Sequence, residues 1–367
     1  MRMRVLLLSA YDARSHRRWR EGLVAAFPEW EWTVMTLPPR YFAWRIRGNS
    51  LSWGCGERAL LRRPHNLLVT TSMTDLATLR GLVPELARLP TLVYCHENQF
   101  AYPPGGQQVG SVEPMMVNLY TLLAADRVVF NSAWNRDSCL DGIQHLLDRM
   151  PDAVPPGVVA QIAAKSRVLP VPLDAGWFAS DTAGRATEPL TLVWNHRWEY
   201  DKGPERLLAA LLQLQQSGMN FRVHILGQQF REQPAVFAEI RTRLGTRIGS
   251  WGMVAPVADY RRVLQRSHVV LSTALHEFQG LAVQEAVACG CIPLVPDRLA
   301  YKEFFSPPYR YPSCANHPEQ EGATIADRIR QWCRSGLPPV PDLSGLSWVQ
   351  QKSAYAAELG TLALSQS

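Results

Sequence analysis

Short apolar runs alternate with amphipathic stretches along the whole of this 367-residue chain. An apolar run of about five residues is typical of a strand buried on both faces, and an amphipathic stretch with a period of about 3.6 residues is typical of a surface helix. In the first half the pattern predicts strands at residues 5–9, 32–36, 67–71, 92–96, 128–131 and 168–171. The helices predicted between them cover residues 15–26, 73–79, 112–124 and 133–150.

The alternation starts again after residues 170–188, a polar stretch rich in proline, glycine, alanine and threonine. Beyond it, strands are predicted at residues 190–194, 222–226, 247–251, 269–273 and 292–295. The helices predicted among them cover residues 205–217, 234–244, 257–266, 281–288 and 326–333, and a last amphipathic helix covers about 348–362.

Repeated strand–helix units predict the fold class α/β, with two Rossmann-like doubly wound domains that bind ligands at the carboxyl ends of their strands. The predicted boundaries are a first domain at residues 1–173, a linker at 174–188 and a second domain at 189–340. Residues 341–367 are predicted to form a C-terminal helix that packs back toward the first domain. A chain of this length suits two domains better than one core.

Residues 37–63 break the alternation, because they are basic and aromatic without a clear period. We predict a functional insertion here rather than an element of the core. Arginine pairs with phosphate and stacks on bases, so Arg45 and Arg47 are candidate contacts to a nucleic acid. A solvated basic surface over core aromatics explains the same composition, and both interpretations stay open.

Residues 102–108, rich in glycine and proline, predict a flexible loop.

Composition narrows the class of protein. Hydrophobic residues at 47% and charged residues at 19% exclude a disordered chain, and no apolar stretch approaches the ~20 residues of a membrane span. Seven cysteines without a Cys-x-x-Cys pair predict reduced thiols and a cytoplasmic location. The net charge of +6 alone is weak support for a nucleic-acid partner. The sequence has no metal-ligand pattern, so no metal is expected.

Residues 273–285 carry the most chemistry, because a polar turn joins a buried strand to a helix there. Backbone N–H groups and the helix dipole at such a turn favour an anionic ligand. Glu277 and Glu285 stand eight positions apart, on either side of Gly280. The same pattern also fits an ordinary strand–turn–helix unit with surface acids, and the turn alone does not decide between the two.

A second strand end, at residues 196–204, brings two cations to the same edge of the predicted sheet. Arg197 and Lys202 suit a diphosphate, because arginine binds phosphate through two parallel hydrogen bonds and lysine acts as a point charge. Gly227 follows the next strand and allows a close backbone approach, and Trp251 could line a nucleobase pocket. Ordinary surface-loop roles stay open for all four residues.

Four polar residues in a row, His96, Glu97, Asn98 and Gln99, follow an apolar strand in the first half. Such a set makes a poor core and a good site for sugar hydroxyls or for an acceptor. Asn131 ends the next predicted strand. His96 also fits a structural histidine whose hydrogen bonds are satisfied inside the protein.

Several motifs together resemble the retaining glycosyltransferases of family 4, which have the GT-B fold of two domains facing across a cleft. The broad resemblance rests on the Arg–Lys pair after the first strand of the second domain and on the two glutamates eight residues apart. A narrower resemblance, to the tRNA-queuosine α-mannosyltransferase group, rests on Tyr11…Ser15-His16, His96-Glu-Asn-Gln99, Phe130-Asn-Ser132, His196-Arg-Trp-Glu…Asp-Lys202 and His276-Glu-Phe…Gly280.

This resemblance implies the transfer of mannose from GDP-mannose, with retention of configuration, to the cyclopentenediol of queuosine at tRNA position 34. It implies no protein nucleophile, no cofactor and no metal. The partners would be a nucleotide sugar and the tRNA anticodon loop, with no membrane, and we expect a monomer.

The resemblance also implies a role for each candidate residue. Arg197 and Lys202 would bind the diphosphate, Glu277 would hydrogen-bond the sugar hydroxyls, and Glu285 would hold the ribose diol. The donor side would be completed by the backbone N–H groups of Phe278, Gly280 and Leu281, by Gly227 and Trp251, and by His96, which would contact the donor sugar. The acceptor side would comprise His16, Glu97, Asn98, Gln99, Asn131, Arg45 and Arg47.

Two other functions stay open. A family 4 enzyme with a lipid-linked or small-molecule acceptor would need a surface for the membrane, and the basic stretch at residues 15–26 could provide part of it. A non-catalytic protein that binds tRNA or a nucleotide is the third possibility, although Glu277, Glu285, Arg197 and Lys202 are all present.

Overall fold

The computed structural model describes residues 2–102, 112–178 and 189–364. Contacts divide the chain into two compact units, Met1–Pro172 with Trp348–Ser367, and Leu173–Ser347. Most of the loop predicted at 102–108 and most of the linker predicted at 174–188 lie outside the described residues.

Within the described part of the first unit, six parallel strands pair in the order β2-β1-β3-β4-β5-β6. The strands are β1 (Arg4–Ser9), β2 (Glu31–Thr36), β3 (Leu67–Thr71), β4 (Thr91–Cys95), β5 (Arg127–Phe130) and β6 (Ser166–Val168). The helices are α1 (Arg14–Ala26), α2 (Phe42–Gly56), α3 (Arg58–Leu61), α4 (Leu76–Leu82), α5 (Glu113–Ala124), α6 (Ala133–Leu147) and α7 (Val158–Ala164). Strands β3 and β4 are buried at every position, as expected of strands covered on both faces.

The sixth strand is the one whose position differs most from the prediction. It covers Ser166–Val168 rather than residues 168–171. Pro170 and Pro172 follow in the sequence, and proline has no N–H group to donate to a neighbouring strand. The apolar run therefore continues beyond the point where ladder hydrogen bonds end.

The predicted insertion at residues 37–63 is wrong, because α2 and α3 occupy most of it. The buried positions of α2 recur every three or four residues, but most carry polar or small side chains: Arg45, Ile46, Gly48, Asn49, Ser50, Trp53 and Gly54. Asn49 binds the loop after β3, since its Nδ2 donates to Met73 O at 3.2 Å and its Oδ1 accepts from Asp75 N at 3.0 Å. Polar and small residues fill most of the buried positions of α2, and hydrogen bonds hold some of them in place. The apolar residues alone therefore do not show the 3.6-residue period of a helix.

In the second unit, again among the described residues, six parallel strands pair in the order β12-β11-β10-β7-β8-β9. The strands are β7 (Leu190–Asn195), β8 (Phe221–Leu226), β9 (Ile248–Gly252), β10 (Val269–Leu271), β11 (Ile292–Pro296) and β12 (Arg310–Tyr311). The helices are α8 (Pro204–Gln216), α9 (Val236–Leu244), α10 (Val257–Arg266), α11 (Leu281–Ala288), α12 (Tyr301–Phe304) and α13 (Pro318–Ser335). Both sheets confirm the predicted α/β class.

The unit boundaries differ from the predicted ones on both sides of the second core. Leu173 and Trp177 are buried in that core, and the Trp177 ring lies edge-on to Tyr260 with centroids 5.9 Å apart. Leu173 N also donates to Leu346 O at 2.8 Å. The last helix, α14 (Trp348–Leu364), belongs to the first unit, where Trp19 Nε1 donates to the Tyr355 hydroxyl at 3.1 Å.

Candidate active site

The centre of the second sheet is where its strand order reverses. Strands β7 and β10 are neighbours, yet the chain continues from β7 to β8 on one side and from β10 to β11 on the other. The loops that follow β7 and β10 therefore diverge and leave a crevice at the carboxyl ends of the strands. These two loops, residues 196–203 and 272–280, carry most of the predicted donor residues.

Hydrogen bonds lock the two loops together. The carbonyl oxygen of Asp201 accepts from Leu275 N at 2.8 Å and from His276 N at 3.2 Å. Thr273 Oγ1 donates to Lys202 O at 2.7 Å. Gly203 makes this approach possible, because its φ is +61° and a Cβ there would lie 2.3 Å from Thr273 O.

Lys202 and Glu277 form a mostly buried ion pair at this crevice. Lys202 Nζ lies 3.4 Å from Glu277 Oε2 and 3.1 Å from Asp201 Oδ2, and it donates to His276 O at 2.7 Å. Burial alone would lower the pKa of Lys202, but the carboxylates of Glu277 and Asp201 outweigh burial and raise it. The lysine therefore keeps its charge although its side chain is only 8% exposed.

The carboxylate of Glu277 is ionised for the matching reason. Burial alone would raise its pKa, but Lys202 and then His196 and His276 outweigh burial and lower it. Its Oε1 accepts from Phe278 N at 3.1 Å, and the backbone N–H of Gly280 also lowers its pKa. Two of the backbone groups predicted to touch the donor thus bind the Glu277 side chain in this structure.

Arg197 differs from Lys202 in exposure. Its side chain is 49% exposed, and its Nη2 lies 2.9 Å from Glu199 Oε2. A half-exposed guanidinium can change partners at little cost, whereas the ammonium of Lys202 is held by three oxygen atoms. The two predicted cations therefore form one fixed and one adjustable positive charge.

Helix α11 begins four residues after Glu277 in the chain. Gly280 precedes it with φ +83°, and a Cβ there would lie 2.7 Å from the Tyr301 ring. Leu281 opens the helix, and Glu285 is buried in its second turn. Asn195, at the end of β7, donates to Ala282 O at 2.7 Å and so connects the strand to the first turn of the helix.

Strands β8 and β9 bring Gly227 and Trp251 to the neighbouring part of the same edge. Gly227 has φ +140°, and a Cβ there would lie 1.8 Å from His196 O, so only glycine fits. The half-buried Trp251 ring lies edge-on to Trp198 at 4.7 Å, and Trp198 stacks on Phe237 at 4.1 Å. Trp251 thus ends an aromatic stack anchored in the core.

In the first unit, the residues after β4 surround a pair of stacked histidines. His16 and His96 have ring centroids 4.1 Å apart, and His16 Nε2 lies 2.9 Å from Glu97 Oε2. Burial, and then the neighbouring His16, keep the pKa of His96 far below its ordinary value, so its imidazole is neutral. Among the described residues, His96 Nε2 is buried without a hydrogen-bond partner.

Asn98 and Asn131 serve mainly to hold this loop in place. Asn98 Nδ2 donates to Asn135 Oδ1 at 2.9 Å, and its Oδ1 accepts from the backbone N–H groups of residues 100 and 101. Asn131 Nδ2 donates to His96 O at 2.9 Å. Gln99 N donates to Asn118 Oδ1 at 3.0 Å. The asparagines predicted to bind the acceptor are therefore occupied by contacts within the first unit.

The two arginines predicted to bind the acceptor are not free surface cations. Arg45 is only 8% exposed, in α2. Arg47 is half exposed, but its Nη1 lies 2.9 Å from Asp75 Oδ2 and its Nε lies 3.2 Å from Glu113 Oε1. The expectation of an open basic site at these two positions is corrected, because one is buried and the other is neutralised.

Comparisons with known proteins identify the family. Two family models cover most of the chain: "tRNA-queuosine alpha-mannosyltransferase N-terminal" matches residues 4–173, and "Glycosyl transferases group 1" matches residues 178–336. A tRNA-queuosine alpha-mannosyltransferase of Drosophila melanogaster is 33% identical over 311 residues, which cover 82% of this chain and 81% of that protein. The chain belongs to the tRNA-queuosine alpha-mannosyltransferase family.

Solved structures share the fold of this family member at low sequence identity. Sucrose-phosphate synthase from Thermosynechococcus elongatus has a TM-score of 0.68 and 15% identity, covering 100% of this chain and 97% of the other. A lipopolysaccharide outer core galactosyltransferase has a TM-score of 0.65 and 10% identity, covering 98% and 99%. These similarities show the GT-B fold alone. With the family match, the chain is a glycosyltransferase, which sets aside a non-catalytic function.

Three site residues of this glycosyltransferase were missed from the sequence. Asp201 connects its own loop to the loop after β10, because its carbonyl oxygen accepts from Leu275 N and His276 N. His276 Nδ1 lies 3.8 Å from Asp201 Oδ2. His196 is buried, and its pKa is affected by both Lys202 and Glu277. Burial and then the charge of Lys202 lower the pKa of His196 to about 4, so it is neutral. All three lie within the quoted motifs, and titratable residues adjacent to Lys202 and Glu277 were the available signal.

The described residues contain neither a metal-binding cluster nor a helix that could span a membrane. No group of three or more His, Cys, Asp or Glu side chains within residues 2–102, 112–178 and 189–364 is placed to hold a metal ion. In the same ranges, no helix has the length and apolar character to cross a membrane. A metal-free reaction remains a prediction.

Proposed function

We propose that this glycosyltransferase transfers mannose from GDP-mannose, with retention of configuration, to the cyclopentenediol of queuosine at position 34 of tRNA. The structural observation that carries the proposal is the Lys202–Glu277 pair, 3.4 Å apart at the strand-order reversal and beside the start of α11. The name of the 33% identical relative supports the sugar and the acceptor.

The leaving group explains why positive charge is concentrated at this edge. When the bond between the sugar and the diphosphate breaks, negative charge grows on the diphosphate oxygens. Lys202 and the start of α11 are already in place to stabilise that charge, and Arg197 can turn toward it from Glu199. Because Lys202 and the start of α11 are ordered before the reaction, these two need little reorganisation in the transition state.

Glu277 suits the sugar rather than the phosphate. Its lowered pKa keeps it a carboxylate, which accepts hydrogen bonds from hydroxyl groups and repels phosphate. In this structure its oxygens bind Lys202 and Phe278 N. We expect the diphosphate to take over Lys202 when the donor binds, which releases Glu277 to accept from sugar hydroxyls.

The proposed chemistry needs no protein nucleophile. The hydroxyl oxygen of the acceptor forms a bond to the anomeric carbon on the face from which the diphosphate leaves. The electron pair of the broken carbon–oxygen bond goes to the diphosphate, and one of its oxygens takes the proton of the acceptor hydroxyl. Retention follows because attack and departure share one face of the sugar.

A tRNA acceptor would place the reaction in the cytoplasm. All seven cysteines are free thiols, as is usual for proteins of that reducing compartment. The cytoplasmic location remains part of the proposal.

The direct test is mass spectrometry of nucleosides from tRNA incubated with the protein and a panel of nucleotide sugars. We expect queuosine to gain the mass of one hexose with GDP-mannose, and tRNA that lacks queuosine to gain nothing. Transfer from another nucleotide sugar would correct the donor. Transfer to a lipid-linked or small-molecule acceptor, with unmodified queuosine, would overturn the proposed acceptor.

A further inference from the structure

The net charge of the chain is concentrated in one short segment. Residues 40–63 contain six arginines and one glutamate, a net charge of +5 out of +6 for the whole chain. Not all of this charge is open to a polyanion, because Arg45 is buried and acids outside the segment pair with Arg47 and Arg62. The exposed cations that remain to attract one are Arg40, Arg58 and Arg63. The segment includes α2 and α3 of the first unit.

Two large aromatic side chains project from the start of this segment. Tyr41 is 71% exposed and Trp44 is 53% exposed, although aromatic side chains of this size usually gain by being buried. The Arg40 guanidinium carbon lies 5.6 Å from the centroid of the Tyr41 ring, within the range of a cation–π contact. We call Arg40, Tyr41 and Trp44 the α2 platform.

The backbone of Tyr41 adopts an unfavourable conformation. Its φ of 55° and ψ of 59° lie in the left-handed region, at the N-cap position of α2. A residue with a Cβ atom is disfavoured there by about 1–2 kcal/mol. Such strain concentrates at functional sites, and here it accompanies an aromatic ring presented to solvent.

The Trp44 ring lies against its own helix at a glycine. A Cβ at Gly48 would lie 2.4–2.7 Å from three atoms of the indole. The indole therefore lies across the helix surface at Gly48, one turn along α2. Only a residue without a side chain leaves room for it, and the Trp44 side chain stays 53% exposed in this position.

We propose that the α2 platform stacks unpaired bases of a looped RNA, while exposed arginines of residues 40–63 contact its phosphates. The proposal rests on the proposed function, which supplies an RNA acceptor. Exposed aromatic faces stack on any base, and arginine adds both charge and stacking. The contact would therefore depend on unpaired bases rather than on their sequence.

A membrane surface is the other polyanion that such a patch could meet. A helix that lies in a membrane buries its apolar face in lipid. In α2 the apolar side chains of Ile46 and Trp53 are instead buried in the core of the first unit, and the large apolar side chains left exposed on the helix are Trp44 and Leu51. Arg47 interrupts the exposed side of the helix, where it pairs with Asp75. These features favour RNA.

The test compares two RNA probes: a short hairpin with an anticodon-type loop, and a fully paired duplex of similar length. We expect Tyr41→Ala and Trp44→Ala each to weaken binding of the hairpin about 5- to 150-fold, since one base stack contributes about 1–3 kcal/mol. Binding of the duplex should be unchanged, and Tyr41→Phe and Trp44→Phe should restore binding of the hairpin. Tyr120→Ala, at another exposed tyrosine of the first unit, is the matched control.

Salt dependence separates stacking from charge. The slope of log affinity against log salt concentration reports phosphate contacts, so the aromatic variants should keep the wild-type slope while losing affinity. Equal binding of the hairpin by the Tyr41→Ala/Trp44→Ala double variant, or an equal loss on both probes, would overturn the platform. Loss of binding to anionic lipid vesicles with RNA binding intact would assign it to membranes instead.

Hexose transfer to tRNA, measured beside binding, distinguishes the two proposals. If the wild-type protein modifies tRNA but the double variant binds the hairpin normally, the platform is wrong and the proposed function stands. If the platform binds the hairpin but the wild-type protein transfers no hexose to tRNA, the proposed function is wrong and the binding surface stands.

Discussion

Each unit has a cluster of buried titratable side chains at the carboxyl ends of its strands: Lys202 and Glu277 in the second unit, His16 and His96 in the first. The two clusters offset the free-energy cost of burying these groups in different ways. In the second unit, a charged lysine and a charged glutamate lie 3.4 Å apart and offset each other. In the first unit, His96 stacks on His16 and stays neutral, because burial lowers its pKa far below the ordinary value. A fixed charge can stabilise a charge that develops during a reaction, whereas a neutral imidazole can hydrogen-bond a hydroxyl without changing the local charge.

Removing the positive charge of Lys202 should have the largest effect. We expect Lys202→Met to lower the rate of hexose transfer by about 10²–10³-fold, the scale of losing one preorganised group that stabilises developing charge. Two carboxylates also lose their partner, so the melting temperature should fall. Lys202→Arg keeps the charge and should fold and retain intermediate activity.

Lys165→Met is the matched control for this variant. Lys165 is a partly buried lysine of the first unit that donates to Leu123 O and Ala125 O. We expect its replacement to lower the melting temperature with no specific loss of transfer per folded molecule. Equal losses of activity in Lys202→Met and Lys165→Met would mean that burial, rather than the position of the charge, explains the result.

The contact between the two loops of the second unit can be broken without removing a charge. Gly203→Ala would place a Cβ 2.3 Å from Thr273 O, in a left-handed backbone conformation. We expect the loops to separate and transfer to fall by about 10²-fold, since displacements of about 1 Å have such effects. Activity and melting temperature of each variant are the measurements.

Gly218→Ala controls for backbone strain. Gly218 has φ +71°, and a Cβ there would meet nothing within 4 Å. We expect a stability cost of about 1–2 kcal/mol from the left-handed conformation and normal transfer. A Gly203→Ala protein as active as Gly218→Ala would show that the close approach of the loops is not required.

The neutral histidine of the first unit should produce a smaller, pH-dependent effect. Below about pH 6.5 the unfolded chain binds a proton at His96 that the folded protein does not bind, so stability falls as the pH is lowered. We expect His96→Gln to lose less stability than the wild-type protein between pH 7 and about pH 5 in urea unfolding. Parallel curves for the two proteins would contradict a neutral His96.

The sequence predicted the sheets well because their strands are continuous apolar runs. It failed at α2, where Arg45, Asn49 and Ser50 occupy buried positions and conceal the helical period. It also missed β12, since two residues are too few for any pattern.

The candidate site divides in the same way. Residue types and their place after strands are enough to predict Lys202 and Glu277 as site residues. Their separation of 75 residues in the sequence concealed the ion pair and the role of Asp201 beneath it. The burial of Arg45 and the hydrogen bonds of Asn98 within the first unit depend on tertiary packing. A local sequence pattern does not predict them.

The central claim is that the pair at the reversal of strand order is the donor site, and Glu277→Gln tests it most directly. The amide keeps an oxygen for Phe278 N but loses the charge opposite Lys202. We predict that hexose transfer from GDP-mannose to queuosine-containing tRNA falls at least about 100-fold, with the melting temperature within a few degrees of wild type. Full transfer by the variant, or transfer lost only because the protein unfolds, would contradict the account.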